Sequence, residues 1–257
     1  MKIKRLLTVG ILASAVASPV MAADTLSAEQ QQQIEKVVHN YLLKNPEVLV
    51  EVSQVLQKKQ QQNMQQQAKS AILDSGDQLL AGTMSVAGNP KGNVTLIEFF
   101  DYQCIHCKKM APVISELIKK DSNLRVVYKE FPIFGGSSEY ASKAVLAAAM
   151  QGKYLPLHEA LLALDKRLDP KLIMSTAKSL GLDTTKLEKD MASKLVADEL
   201  AASRALAEKL HLMGTPAFIV AATPGGKFSV TPEPAFIPGG ASVEDLQALI
   251  KKASKKA

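Results

Sequence analysis

At 257 residues, 47% of them hydrophobic, the chain is too long for a minimal domain and too short for two large ones. One core domain with an appendage is expected. The formal charge of +6 makes no case for nucleic acid, because Lys2, Lys4 and Arg5 lie in a leader whose removal leaves +3; with no basic field of any size, no nucleic-acid partner is expected.

Residues 1–22 read as a secretory signal peptide. Three basic residues precede an apolar run over 6–17, and Val20 and Ala22 occupy the two positions that a signal peptidase reads. A membrane anchor is the weaker reading, since the apolar run is too short to span a bilayer. Export implies the periplasm or cell envelope, an oxidising setting in which cysteines form disulfides.

Residues 23–80 read as a helical oligomerisation region with a linker helix. Ser27 and Gln30 form a capping box. Ile34, Val37, Val38 and Tyr41 then recur at helical spacing on one stripe. Asn45-Pro46 ends this helix and starts a second, with Asn45 as its cap. The second helix is apolar from Val48 to Leu56, and polar over 58–67, where seven of ten residues are Gln or Asn. Such short amphipathic helices need a partner surface. Docking on the main domain would provide one. Pairing with the same segment of another protomer is favoured, a dimer first, because symmetric oligomers are common.

Within residues 81–136, the near-continuous apolar run 94–100 reads as a buried strand interrupted by Glu98. Buried there, Glu98 would have a raised pKa and act as an acid–base group; on an edge strand it would face water. The strand leads into Cys104-Ile105-His106-Cys107, which opens a helical pattern. Cysteines three apart at a helix start lie on one face and can bridge. The unpaired N–H groups there stabilise a thiolate on Cys104, making it the nucleophile, with Cys107 as the resolving thiol. A protonated His106 would favour that thiolate further. A purely structural disulfide over this gap would restrain almost no chain. Haem attachment requires His after the second Cys, where Lys108 stands. A local zinc site lacks ligands, so no metal is assigned; a soft copper(I) site stays open chemically. Residues 124–131 read as a further strand, with Lys129 near its end as an ion-pair partner for Glu98 or an exposed lysine.

Residues 137–212 carry no strand signal and read as a helical insertion with short turns. His158 there reads as a surface or core residue. After Gly214, Thr215-Pro216 opens a strand. Pro216 belongs at the strand start and could expose backbone to a bound extended peptide, although trans is the default from sequence. Either 227–230 or 235–238 supplies a last strand, before a final helix capped by Ser242.

Strand, Cys-x-x-Cys helix with Pro112, strand, helical insertion, Thr-Pro strand, strand and helix together resemble the DsbA-like thiol:disulfide oxidoreductases. The resemblance runs from about Ser85 to the C-terminus. It implies an α/β, thioredoxin-like fold with an inserted all-helical subdomain, over 81–257, and no cofactor beyond a redox-active Cys104–Cys107 disulfide. Cys104 and Cys107 match the family's nucleophile and its buried partner. His106 matches the thiolate-stabilising histidine, Glu98 the buried acid and Lys129 its basic neighbour. Pro216 matches the cis-proline that faces the cysteines and, with Thr215, binds substrate. Two positions depart from the familiar oxidase: Ile105 stands where that protein has proline, and Thr215 is more like the disulfide isomerases. The arm resembles those of multimeric DsbA-like proteins, some of them isomerases, some linked to copper tolerance and some surface-associated. The implied activity is disulfide formation or rearrangement in unfolded or misoxidised envelope proteins, with a membrane redox partner that reoxidises or reduces the enzyme. The alternative is a copper-binding or chaperone-like envelope protein with the same cysteines as ligands.

Overall fold

The computed structural model describes residues 26–82 and 84–255. The expected signal peptide, residues 1–22, lies outside the described residues. Two compact units meet between Lys58 and Lys59. This division falls earlier than the expected boundary at 80/81.

The larger unit is built on a five-stranded sheet. Its strands are β1 (Val86–Gly88), β2 (Val94–Phe100), β3 (Leu124–Glu130), β4 (Ala217–Ala222) and β5 (Ala235–Pro238), in the order β1-β3-β2-β4-β5. β2 and β3 are parallel, and the other neighbours are antiparallel. β2 is therefore central, with all seven residues buried, so Glu98 is a core residue and the edge-strand alternative falls. Of the two candidates for the last strand, 235–238 forms it. β1 has no counterpart in the sequence reading, since three residues are too few to display a period.

Strand alternation divides the core into two. Leu96, Phe100, Val126 and Tyr128 join one cluster with α4 (Ile105–Lys120) and α10 (Val243–Ser254). Ile97, Phe99 and Val127 join the other. Between β3 and β4 come α5 (Gly136–Ala149), α6 (Tyr154–Leu162), α7 (Pro170–Ser179), α8 (Thr184–Met191) and α9 (Lys194–Lys209). This is the expected helical insertion, here five helices, in a thioredoxin-like fold.

In the smaller unit, α1 (Ala28–Lys44) begins at the expected capping box: Gln30 N donates to Ser27 Oγ at 3.2 Å and Ser27 N to Gln30 Oε1 at 2.9 Å. Asn45 caps the helix behind it, not the one ahead, by donating from Nδ2 to the Tyr41 carbonyl at 2.9 Å. No residue of α1 is buried, and Val37, Leu43 and Val55 are each at least 67% exposed. α2 (Glu47–Leu73) starts after Pro46 and continues through the division between the units.

The early boundary has a packing cause. Ala68 and Ile72 of α2 and Leu79 of α3 (Gly76–Leu80) are buried, and Ile72 and Leu79 share the second cluster with Leu206 and Leu210. Carbonyls at the end of α3 are then held by cations: Arg125 Nη2 donates to Leu80 O at 3.1 Å and Lys129 Nζ to Ala81 O at 2.5 Å. Among the described residues no helix is long and apolar enough to cross a membrane.

Candidate functional site

Cys104 is the N-cap of α4. Its sulfur accepts from the Cys107 amide at 3.4 Å, and the thiol donates to the Thr215 carbonyl at 3.2 Å. The Cys104 pKa is lowered from 9.0 to about 5. The leading cause is a hydrogen bond from the Cys107 thiol, which outweighs the opposing effect of burial; the amides of Cys107 and His106 add to it. Cys107 is fully buried, and its pKa is raised, first by burial, then by its bond to Cys104 and by the charge of Glu98. Cys104 is thus the sulfur that ionises readily and Cys107 the one that keeps its proton, the division of labour that an exchange site uses.

The four-residue motif fixes this geometry because it straddles the helix start. Cys104 has extended backbone angles, φ −71° and ψ 116°, so its side chain folds back over the free amides of the first turn. The His106 ring is exposed, and among the described residues it makes no hydrogen bond; what reaches the Cys104 sulfur from this residue is its backbone amide.

Glu98 is 1% exposed. Burial raises its pKa well above the ordinary value, and the charges of Cys104 and then Glu130 add to this. Neither alternative for Lys129 holds: it forms no ion pair with Glu98, and it is buried rather than exposed. The parallel register sets Glu98 beside Tyr128 and Lys129 beside Phe99. Successive residues point to opposite faces, so Lys129 lies on the far side of the sheet, where its amine reaches Ala81 and its pKa is lowered by burial.

The residue that does share the face of Glu98 is Glu130, which sequence reasoning missed. Its Oε1 accepts from Tyr102 Oη at 3.2 Å and Tyr154 Oη at 3.1 Å, and burial pushes its pKa up to about 8. His158 Nδ1 lies 3.1 Å from Tyr102 Oη. The ring is buried and neutral, with its pKa lowered by burial to about 3, in keeping with a core histidine.

Asp101 was also missed. Its carboxylate is fully buried and accepts from Gln103 N at 2.7 Å, Ile133 N at 2.7 Å, Phe134 N at 3.0 Å and Ser138 Oγ at 2.7 Å. It ties the turn before Cys104 to the loop after β3 and to α5. An aspartate two residues before a turn amide is the one sequence signal that could have found it.

Thr215-Pro216 stands against Cys104 through the Thr215 carbonyl, and the peptide bond is cis rather than the default trans. Beside it a cavity of about 360 Å³ is lined by Thr215, Pro216, Met213, Phe236 and, from α2, Met64. Ile105, at the start of α4, and Ile133, Phe134 and Met213, in loops at this end of the sheet, are exposed apolar side chains.

The comparisons with known proteins agree with this geometry. The family model for the DSBA-like thioredoxin domain matches residues 95–251, more than half of the chain, and that for the N-terminal domain of the copper resistance protein ScsC matches residues 30–63. The Na(+)/H(+) antiporter NhaA 3 of Salinispora tropica is 29% identical over 137 residues, 52% of this chain but 21% of the antiporter, so the chain spans about a fifth of that protein. The thiol:disulfide interchange protein DsbA of Bordetella parapertussis is 30% identical over 146 residues, 55% of this chain and 68% of that protein. Among solved structures, BcfH of Salmonella enterica Typhimurium is 32% identical with a TM-score of 0.70, covering 88% of this chain and 96% of that one. A thioredoxin-like oxidoreductase from Silicibacter pomeroyi is 38% identical with a TM-score of 0.63, covering 70% and 98%. With its paired cysteines at the start of α4 and the family match running from β2 into α10, the chain belongs to the DsbA-like thioredoxin-domain family of thiol–disulfide oxidoreductases.

Proposed function

We propose that this protein forms and rearranges disulfides in exported proteins by exchange at Cys104. The observation that carries the reading is the placement of the two sulfurs: Cys104 caps α4 and accepts from the Cys107 amide, while Cys107 lies fully buried one turn into the helix. In the oxidising direction a substrate thiolate attacks Cys104, the Cys104–Cys107 bond breaks, and Cys107 leaves and takes a proton from Glu98. A second substrate thiolate then attacks the substrate sulfur of the mixed disulfide, and Cys104 leaves as a thiolate, for which its low pKa suits it. In the rearranging direction the Cys104 thiolate attacks a wrong disulfide of the substrate and is released when the correct pair closes. Thr215, Pro216 and the cavity beside them would receive the chain flanking the substrate cysteine. Substrates would be unfolded or misoxidised envelope proteins, and a membrane redox partner would set which direction dominates.

The Cys107→Ala variant tests this. Without the resolving thiol, mixed disulfides should accumulate on Cys104 and appear on non-reducing gels as adducts that dithiothreitol releases. A variant that forms no adduct with a cysteine-containing substrate would sink the reading.

The arm points to more than one active site per particle. Its apolar side chains are exposed, and its match to the ScsC N-terminal domain lies on the arm rather than on the cysteine pair. That match therefore bears on assembly more than on copper ligation. Deleting residues 24–58, up to the division between the units, is expected to convert a symmetric oligomer, a dimer by our reading, into a monomer. Sedimentation that finds the same number of chains per particle before and after would refute an assembling role for the arm.

A further inference from the structure

The cavity beside Thr215-Pro216 lies on the opposite face of the sheet from the cysteines. Cys104 and Cys107 belong to the first core cluster. Ala217, which lines the cavity, belongs to the second, and Phe236, which also lines it, packs against that second cluster. Thr215 is common to both sides: its carbonyl accepts from the Cys104 thiol at 3.2 Å, and it lines the cavity. Among the described residues its amide donates to no other backbone group, so an extended chain laid along this edge finds an open ladder position. In such a chain successive side chains point to opposite faces. A substrate cysteine turned toward Cys104 therefore turns both of its neighbours toward the cavity face.

One wall of the cavity comes from α2. Gln61, Met64, Gln65 and Ala68 line it, and residues spaced three and four apart form a single helix face. Ala68 is 2% exposed and Met64, one turn before it, 40%, so this face runs from closed at Ala68 to open at Met64. All four residues belong to the larger unit, with the sheet. Met213, Phe236 and Pro238 complete an apolar lining, and among the described residues that line the cavity none is acidic or a lysine. Methionine is unbranched and polarisable, so Met64 and Met213 can adapt to apolar groups of different shape. The volume of about 360 Å³ is near the lower limit for ligand cavities, about 300 Å³, which suits a short stretch of chain rather than a folded element.

We propose that α2 is part of the substrate site: Met64, with Met213 and Phe236, receives a large apolar side chain that directly precedes or follows the substrate cysteine. The occupant is a segment of unfolded polypeptide, and the inference rests on the exchange at Cys104 proposed above. The helix that leads in from the arm is then a specificity element as well as a connection. In a folded protein large apolar residues are mostly buried, so a cysteine flanked by an accessible one marks a chain that has not completed folding. Met64 takes no part in the exchange of bonds. It acts on the rate through the binding of the neighbouring side chain alone.

The test uses the reduced full chain and short peptides whose single cysteine carries a coloured aryl thiol in disulfide linkage. The Cys104 thiolate attacks the peptide sulfur, the peptide–aryl disulfide breaks, and the aryl thiolate leaves with the electron pair and is read by its absorbance. Leucine or alanine is placed before the cysteine, and in a second pair of peptides after it. In the wild type, leucine at one of the two positions should react about tenfold faster than alanine, as burial of its side chain implies. Met64→Gln, similar in length and in helix preference, should cut that preference to about threefold, and Met64→Leu should keep it. The mercaptoethanol disulfide of the same aryl thiol has no neighbouring residue, and its rate should be equal in wild type and both variants. Met64 is exposed, so neither variant endangers the fold. A wild type that reacts equally with leucine and alanine peptides overturns the inference, and so does a preference that Met64→Gln leaves intact; in both cases the exchange at Cys104 stands. A mercaptoethanol rate that falls in Met64→Gln also overturns it, by making Met64 a support of Cys104 itself. A wild type that releases no aryl thiolate from any of these disulfides overturns the exchange at Cys104 and the inference with it.

Discussion

Cys104→Ala is expected to abolish disulfide exchange, with insulin reduction and scrambled-ribonuclease repair both falling to background. The loss should be on the order of 10³-fold or more, as when an enzyme loses its nucleophile. Cys107 cannot substitute for it, because it is fully buried and its thiol is held protonated. The same argument fixes a pH dependence. In the reduced wild type, thiolate absorbance should rise with a midpoint of about 5, against 9.0 for an unperturbed thiol, and this transition should vanish in Cys104→Ala.

The stability consequence has a definite sign. A group with a depressed folded-state pKa binds fewer protons folded than unfolded at intermediate pH, so its stabilisation is fully present above the unfolded value and lost as pH falls through the folded one. The melting temperature of the reduced wild type, relative to Cys104→Ala, should therefore climb between about pH 5 and pH 9. A flat difference across that window, or exchange retained by Cys104→Ala, would remove Cys104 from the centre of the chemistry.

Much of this site was legible because its signals are local. The run 94–100 gives the buried central strand, the spacing of Cys104 and Cys107 gives the helix start, and Thr215-Pro216 marks the loop that meets them. What failed to show depended on register or on distant partners. Lys129 and Glu130 are adjacent in sequence, and a strand turns adjacent residues to opposite faces, so choosing the partner of Glu98 required the β2–β3 register. Lysine was the intuitive choice by charge, and the structure instead places a second acid on that face. The partners of Glu130 are Tyr102 and Tyr154, 28 and 24 residues away in the chain, and only the folding of α6 onto the sheet assembles them. The domain boundary slipped for the same reason. Ile72 lies in the linker helix, but Leu206 and Leu210 of the same cluster arrive from the far end of the insertion.

Asp101→Ala is expected to cause a large loss of stability for a single substitution, because its carboxylate satisfies three backbone amides and one hydroxyl in a fully buried position. Each buried donor left without an acceptor costs about 1–3 kcal/mol. Partial relaxation of the loop makes the total about 3–5 kcal/mol, a fall of roughly 6–20 °C in melting temperature for a domain of this size. Asp101→Asn keeps one acceptor oxygen but turns an NH₂ group toward donors, so it should recover only part of the loss. Exchange should suffer as well. Asp101 connects Gln103, next to Cys104, with Ile133, Phe134 and Ser138, and a nucleophile displaced by about 1 Å loses rate by up to about 10²-fold. Thermal unfolding and insulin reduction on the same samples separate the two effects: well below the melting transition, a variant that only unfolds would retain the wild-type rate, whereas a displaced Cys104 would stay slow. A melting temperature within about 2 °C of wild type, less than the loss of a single such bond implies, would show that the four contacts do not hold the turn that presents Cys104.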